Sequence, residues 1–125
     1  MVERSAQPEV LKFVLQWKCR DIMAILVHRA RATQNWLRAG VHKGDRMYHV
    51  LSDRMGVEGS SELCSFVAAF GIRPQWVQYA GSYREHFDAR SDTGLAMIRA
   101  GARLATNREV GQLLAAKKSA MAEKA

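Results

Sequence analysis

The amino-acid sequence predicts an α/β fold: a single small domain with a mainly parallel sheet of about three or four strands, flanking helices and an N-terminal helical extension. Apolar runs of strand length alternate along the chain with segments whose apolar residues recur at helical spacing. This alternation is typical of helices packed on a sheet whose strands run parallel. The chain of 125 residues, 48% hydrophobic and 25% charged, has the size and composition of one globular domain.

The chain divides into three predicted segments. Residues 1–22 form the N-terminal helical extension, residues 23–116 form the α/β domain, and residues 117–125 form an alanine- and lysine-rich tail that is expected to fray. A helix is predicted over Glu9–Lys18, because apolar residues recur there on one face of a helical period. These residues are Val10, Phe13, Val14 and Trp17.

Four segments are predicted as strands. The continuous apolar run Ile22–Val27 is typical of a strand buried on both faces, and Met47–Leu51 is the second strand. Gln75–Tyr79 alternates polar and apolar residues, as a half-exposed strand does, and Ala102–Ala105 is a short fourth strand. No clear helix separates the first two strands, so an antiparallel pair remains open at that point.

Three helices are predicted after the second strand. The first begins within Ser60–Ser61, where a hydroxyl can cap it, and the second begins within Ser91–Asp92. The last begins at a T-x-x-E capping box formed by Thr106 and Glu109. The first helix carries the clearest apolar stripe, which consists of Leu63, Phe66, Val67 and Phe70.

The segment from Arg29 to Arg46 is strongly basic, and the whole chain has a formal net charge of +7. Positive charge favours polyanionic partners, and basic residues around an aromatic ring suit phosphate contact and base stacking. The predicted nucleic-acid-binding residues are Arg29, Arg31, Trp36, Arg38, Lys43 and Arg46. The alternative is a solvated loop in which Trp36 packs on the core, with a helical turn near Thr33–Ala39.

The cysteines and the apolar runs predict a cytoplasmic protein that does not enter a membrane. Cys19 and Cys64 lie far apart and form no C-x-x-C pair, which is typical of reduced thiols. The N-terminus lacks a signal-peptide pattern, and no apolar run has the length of a membrane helix.

Histidine and aspartate occur together in two short segments, Tyr48–Asp53 and His86–Asp88. If these segments are extended, alternate residues share a face, which groups each histidine with its aspartate. Imidazole and carboxylate together suit zinc, manganese or iron(II), so a divalent metal ion is the candidate cofactor. The predicted catalytic and metal-binding residues are His49, Asp53, His86 and Asp88.

Each of these residues also has a structural interpretation, because the spacings H-x-x-x-D and H-x-D are short and common. His49 can be a hydrogen-bonded strand residue, and Asp53 can cap a turn. His28 is a fifth candidate, although a structural role is typical at the end of a buried strand. The chain has no phosphate-binding loop, dinucleotide fingerprint, H-E-x-x-H or G-x-S-x-G motif, which argues against ATP-driven, dinucleotide-dependent and serine-hydrolase chemistry.

These motifs resemble a short phage and bacterial domain that is catalogued only as a domain of unknown function. That domain has a hydrophobic strand ending in Val-Asp, then H-x-x-x-D, H-Y-D and A-G-A motifs. The segments that carry the resemblance are Met23–Val27, His49–Asp53, Glu62–Leu63, His86–Asp88 and Ala100–Ala102. His28 stands where the family has aspartate, and Phe87 stands where it has tyrosine. Met23 is a candidate start of the domain, and the resemblance implies no activity.

The sequence therefore favours a small α/β protein of phage or prophage type in which a divalent metal ion assists hydrolysis of a nucleotide or nucleic-acid substrate. The alternative is a non-catalytic basic accessory protein that binds nucleic acid or a host protein. A third interpretation is a structural module that dimerises through the N-terminal helix.

Overall fold

The computed structural model describes residues 25–37 and 40–124. The helix predicted over Glu9–Lys18, together with Cys19 and Arg38, lies outside these residues. The strands are β1 (Ile25–Arg31), β2 (Arg46–Ser52), β3 (Phe87–Arg90) and β4 (Arg103–Ala105). The helices are α1 (Gly56–Ala68), a 3₁₀ helix (Pro74–Trp76), α2 (Ser91–Arg99) and α3 (Asn107–Lys124). None of the helices within the described residues is long and apolar enough to span a membrane.

The α/β class is confirmed, but the sheet is mixed and mostly antiparallel, so the prediction of a mainly parallel sheet is wrong. The strands lie in the order β3-β2-β1-β4. β2 pairs antiparallel with both β1 and β3, and β1 pairs in parallel with β4. Parallel pairing requires a crossover connection, and the basic segment between β1 and β2 is a hairpin tip instead.

The hairpin tip is closed by a backbone pair. The amide of Trp36 donates to the carbonyl of Val41 at 2.7 Å, and the amide of Val41 donates back at 3.0 Å. Gly40 and Gly44 have φ values of +72° and +91°, which a residue without a side chain adopts readily. Within the helical turn predicted near Thr33–Ala39, Leu37 has a 3₁₀ conformation and its carbonyl accepts a hydrogen bond from the amide of Gly40 at 3.0 Å, and residues 38–39 lie outside the described residues.

The other element boundaries follow the predictions in part. Gln75–Tyr79 is not a strand: the chain forms a 3₁₀ helix at Pro74–Trp76, and only Gln78 pairs, with His86. Proline has no amide proton and a fixed φ, so it starts a helical turn more readily than it joins a ladder. α1 begins at Gly56 without a side-chain cap, earlier than the predicted serines. α2 begins at Ser91, but its N-cap is Arg90 and no side chain caps it, so the prediction that Ser91 or Asp92 caps this helix is wrong.

One face of the sheet packs on α1 and α2 and forms the larger core. Because side chains alternate between the faces of a strand, every second residue of β1, β2 and β3 contributes to it. The largest fully buried side chains of this core are Ile25, Val27, Val50, Leu63, Phe66, Val67, Phe87 and Met97. Gly94 of α2 lies against the ring of Tyr48, where an added Cβ would be 2.1 Å from Cδ2.

α3 covers part of the opposite face, where Leu26, Leu51 and Ala105 pack with Val110. The predicted capping box at the start of α3 is confirmed. The amide of Thr106 donates to Glu109 Oε1 at 3.0 Å, and the amide of Glu109 donates to Thr106 Oγ1 at 3.1 Å. The helix continues to Lys124, through the segment that was expected to fray.

Candidate metal centre

Two neighbouring strands bring His49 and Asp88 together on the sheet face that carries α3. In the antiparallel register of β2 and β3 these two residues lie directly opposite each other. Opposite residues of an antiparallel pair share a face and lie within side-chain reach. Nε2 of His49 is 3.5 Å from Oδ1 of Asp88.

His86 joins this pair from the segment that precedes β3. It lies two residues before Asp88, so the alternation expected from the sequence puts both side chains on one face. Nε2 of His86 is 3.5 Å from the same Oδ1 of Asp88, and the ring centroids of His86 and His49 are 4.5 Å apart. One possible ligand atom from each of the three residues lies within 4.8 Å of the other two. We call these residues the His/Asp cluster.

Backbone hydrogen bonds orient His86 within the cluster. Its amide donates to the carbonyl of Gln78 at 3.1 Å, and the amide of Gln78 donates back at 2.8 Å. Nδ1 of His86 is 2.8 Å from the carbonyl oxygen of Arg84. A carbonyl can only accept, so Nδ1 carries a proton and the Nε2 lone pair of the neutral ring faces Asp88.

The loop between Gln78 and His86 is held by the carboxylate of Glu85. That carboxylate accepts a hydrogen bond from the amide of Gly81 at 3.0 Å and another from the hydroxyl of Ser60 at 2.7 Å. Tyr79, in the same loop, has a φ of +54°, a conformation that few residues other than glycine adopt. The loop is therefore tied both to itself and to α1.

The two histidines of the cluster have opposite protonation preferences. Burial lowers the pKa of His49, and the charge of His86 lowers it further, against a smaller raising effect of Asp88. Burial also opposes the charged form of His86, but hydrogen bonds to the Asp88 carboxylate and the Arg84 carbonyl outweigh it, so the pKa of His86 is raised. In the protein without bound metal, His86 therefore takes up a proton at higher pH than His49.

His28 lies beside His49 on the same face of the sheet but is not part of the cluster. It lies opposite His49 in the register of β1 and β2, with 5.9 Å between the ring centroids. Its Nε2 is hydrogen-bonded to the side-chain oxygen of Asn107 at the start of α3. This contact agrees with the structural interpretation of His28, as a link between the sheet and α3.

The structure does not bring Asp53 to the cluster. Asp53 follows the last residue of β2, and at about 3.3 Å per extended residue it lies about 13 Å along the chain from His49. Its carboxylate acts electrostatically on Lys117 of α3, which is buried and donates a hydrogen bond to the carbonyl of Ser52. Asp53 therefore belongs to the surroundings of α3.

A cavity of about 320 Å³ opens onto the cluster. Its walls come from the hairpin tip and from the 3₁₀ helix, and its lining includes His49, Asp88, Arg31, Trp36, Trp76 and Gln78. The sequence did not indicate Trp76 and Gln78 as site residues, because their alternation was interpreted as a strand. Pro74 was the signal that could have revealed the turn.

The basic residues predicted to bind nucleic acid do not lie together in one place. Arg31 and Trp36 line the cavity at the cluster, and Arg31 also donates to the carbonyl of Gly44 at 3.0 Å. Arg29, Arg31 and Arg46 line a second cavity of about 620 Å³. Lys43 lies at the hairpin tip, where its side chain is exposed.

Comparison with known proteins identifies a family. A family model described as "Protein of unknown function (DUF4031)" matches residues 35–117, a range that contains all three residues of the His/Asp cluster. No curated protein and no solved structure matches the chain.

Proposed function

Because the chain belongs to the DUF4031 family, whose description names no activity, we propose a function from the site itself: the His/Asp cluster binds a divalent metal ion that assists hydrolysis of a nucleotide or nucleic-acid substrate. The observation that carries this proposal is the separation of the ligand atoms. Each histidine Nε2 is 3.5 Å from Asp88 Oδ1. Ligands about 2.1 Å from a tetrahedral ion are about 3.4 Å apart, so the two separations from Asp88 match those of a zinc site. The two histidine nitrogens lie within 4.8 Å of each other.

The donor set supports a catalytic rather than a purely structural ion. Two imidazoles and one carboxylate supply three ligands, as in catalytic zinc sites, and leave the fourth position to water. His49 and Asp88 line the cavity, so that position would be open to a substrate. The hydrogen bond from His86 Nδ1 to the Arg84 carbonyl is the kind of second contact that orients a metal-binding histidine.

The charge around the cavity supports an anionic substrate. Arg31 lines the cavity at the cluster, whereas Arg29 and Arg46 line a second cavity on the sheet face that carries α2. A guanidinium group pairs with phosphate through two parallel hydrogen bonds. In the proposed reaction the ion lowers the pKa of its bound water and polarises the phosphoryl group, while Arg31 holds a phosphate oxygen.

Zinc binding to purified protein tests the metal site. We expect one ion per chain by isothermal titration calorimetry, and we expect His49→Ala, His86→Ala or Asp88→Ala to abolish that binding. His42→Ala is the matched control, because His42 is exposed at the hairpin tip, where its Nδ1 lies 3.8 Å from Oδ2 of Asp45. Absence of zinc, manganese or iron(II) binding to the wild-type protein would overturn the proposal, as would an equal loss of binding in the control.

A second candidate function, nucleic-acid binding without catalysis, is favoured by the grouping of Arg29, Arg31 and Arg46 around one cavity. If two of these arginines contact phosphates, the double variant Arg29→Ala/Arg46→Ala reduces the salt dependence of single-stranded DNA binding. The slope of log K against log salt falls by about 1.4, at about 0.7 per phosphate contact. The exposed pair Arg99 and Arg108 provides the control. Equal slopes for the two double variants would exclude this surface as the binding site.

A further inference from the structure

Two indole rings in edge-to-face contact line the cavity at the cluster. Trp36 belongs to the hairpin tip and Trp76 to the 3₁₀ helix, and their ring centroids are 6.1 Å apart at an interplanar angle of 89°. Trp36 packs with Ala32, Val41 and Met47, so it has a structural role. Trp76 is 42% exposed and contributes to no core cluster of the described residues. A large aromatic ring held beside a cavity without core packing is typical of a ligand contact.

The carboxamide side chains that line the cavity can hydrogen-bond to the edge of a planar polar ring. The carboxamides of Gln34, Asn35 and Gln78 line the cavity. A carboxamide presents a donor and an acceptor side by side, the arrangement that pairs with the edge of a nucleobase. The Asn35 oxygen accepts a hydrogen bond from the amide of Lys43 at 2.9 Å, which fixes that side chain at the tip.

The wall that carries Trp76 is joined to the His/Asp cluster through the backbone. Gln78 lies two residues after Trp76 and exchanges two backbone hydrogen bonds with His86. The backbone near Trp76 is therefore held against that of His86 before a ligand arrives. Such preorganisation reduces the entropy that is lost on binding.

We propose that this cavity binds one unpaired nucleobase, stacked on the face of the Trp76 indole and hydrogen-bonded by the carboxamides. A volume of about 320 Å³ is at the small end of the range for ligand sites, which suits one nucleotide and excludes a base pair held within a duplex. The inference rests on the proposed function only for the position of the phosphate, beside the metal and Arg31. Base binding itself requires no metal.

The test is nucleotide binding to the full chain after removal of metal with a chelator. We expect adenosine 5′-monophosphate to bind in isothermal titration calorimetry and ribose 5-phosphate, which lacks the base, to bind at least tenfold more weakly. Trp76→Leu weakens nucleotide binding about 5- to 150-fold, the effect of losing one stacking partner. Trp76→Phe keeps an aromatic face and retains most of the affinity, and Val57→Ala, an exposed site on α1, leaves it unchanged.

Each outcome decides between this inference and its competitors. Equal binding of ribose 5-phosphate and the nucleotide would overturn base recognition and indicate a sugar or phosphate site. Unchanged affinity of Trp76→Leu would overturn the stacking role. If a short single-stranded DNA binds no more tightly than the mononucleotide, the ligand is a free nucleotide. If the single-stranded DNA binds more tightly, the ligand is an unpaired base within a strand. If the wild-type protein binds the nucleotide but binds no metal ion, this inference stands and the proposed metal site is overturned.

Discussion

The pH dependence of zinc binding is the sharpest test of the cluster, because a protonated imidazole cannot be a metal ligand. The pKa of His86 is raised above the usual value of 6.5, and that of His49 is lowered below it. Zinc must therefore displace a proton from His86 at a higher pH than from His49. At a pH above both pKa values, we expect the protonation of these histidines to leave the zinc affinity unchanged. Between the two pKa values the affinity falls tenfold for each unit by which the pH is lowered, and below both it falls a hundredfold per unit.

The same difference predicts how many protons are released on binding. Near pH 6.5, His86 is mostly protonated and His49 mostly neutral, so each zinc ion displaces about one proton from the two rings together. Calorimetric titration in buffers that differ in protonation enthalpy measures this number. In Asp88→Asn the carboxylate that stabilises the charged form of both histidines is absent, so we expect the pKa of each to fall when the imidazoles of the metal-free protein are titrated by NMR.

Two results would refute this reasoning. The first is a zinc affinity that does not change between pH 8 and pH 5, because that would exclude both imidazoles as ligands. The second is a change of the proton count in His42→Ala, since this exposed histidine lies outside the cluster.

Two further predictions concern packing and the support of the site. Gly94→Ala places a methyl group 2.1 Å from the ring of Tyr48, so we expect the free energy of unfolding, measured by thermal denaturation, to fall by about 1–3 kcal/mol. An added Cβ at Gly111 has no neighbour within 4 Å, so we expect Gly111→Ala to raise that free energy by about 0.5–1 kcal/mol. Equal effects of the two substitutions would contradict the close contact of α2 with β2. Glu85→Ala removes the hydrogen bonds that hold the loop before His86, so we expect the zinc affinity measured by calorimetry to fall about 10- to 100-fold. Glu123→Ala, at an exposed position, is the control. An unchanged affinity would mean that the loop does not depend on this carboxylate.

Several local features followed directly from the order of residues. The capping box at Thr106 and Glu109 was predictable because its two hydrogen bonds join residues three positions apart. The common face of His86 and Asp88 was predictable because side chains alternate in an extended chain.

The direction and register of the strands were not predictable in this way. The basic segment was compatible with either a crossover or a hairpin, and only the folded tip, closed by Trp36 and Val41, makes β1 and β2 antiparallel. Register then decides which residues face each other, and a shift of one residue would move His49 to the opposite face of the sheet. The same local pattern that grouped His49 with Asp53 was misleading, because four residues along a strand separate two side chains by more than one ligand sphere.

The sequence by itself determined the α/β class, the capping box of α3 and the proximity of His86 to Asp88, because each depends on interactions within a few residues. Tertiary structure alone decided that His49 lies opposite Asp88, that Trp36 and Trp76 line one cavity, and that Asp53 lies with α3. These relations join residues that are distant along the chain. They arise from the hydrogen-bond register of the sheet and from burial of its two faces, which no local pattern encodes.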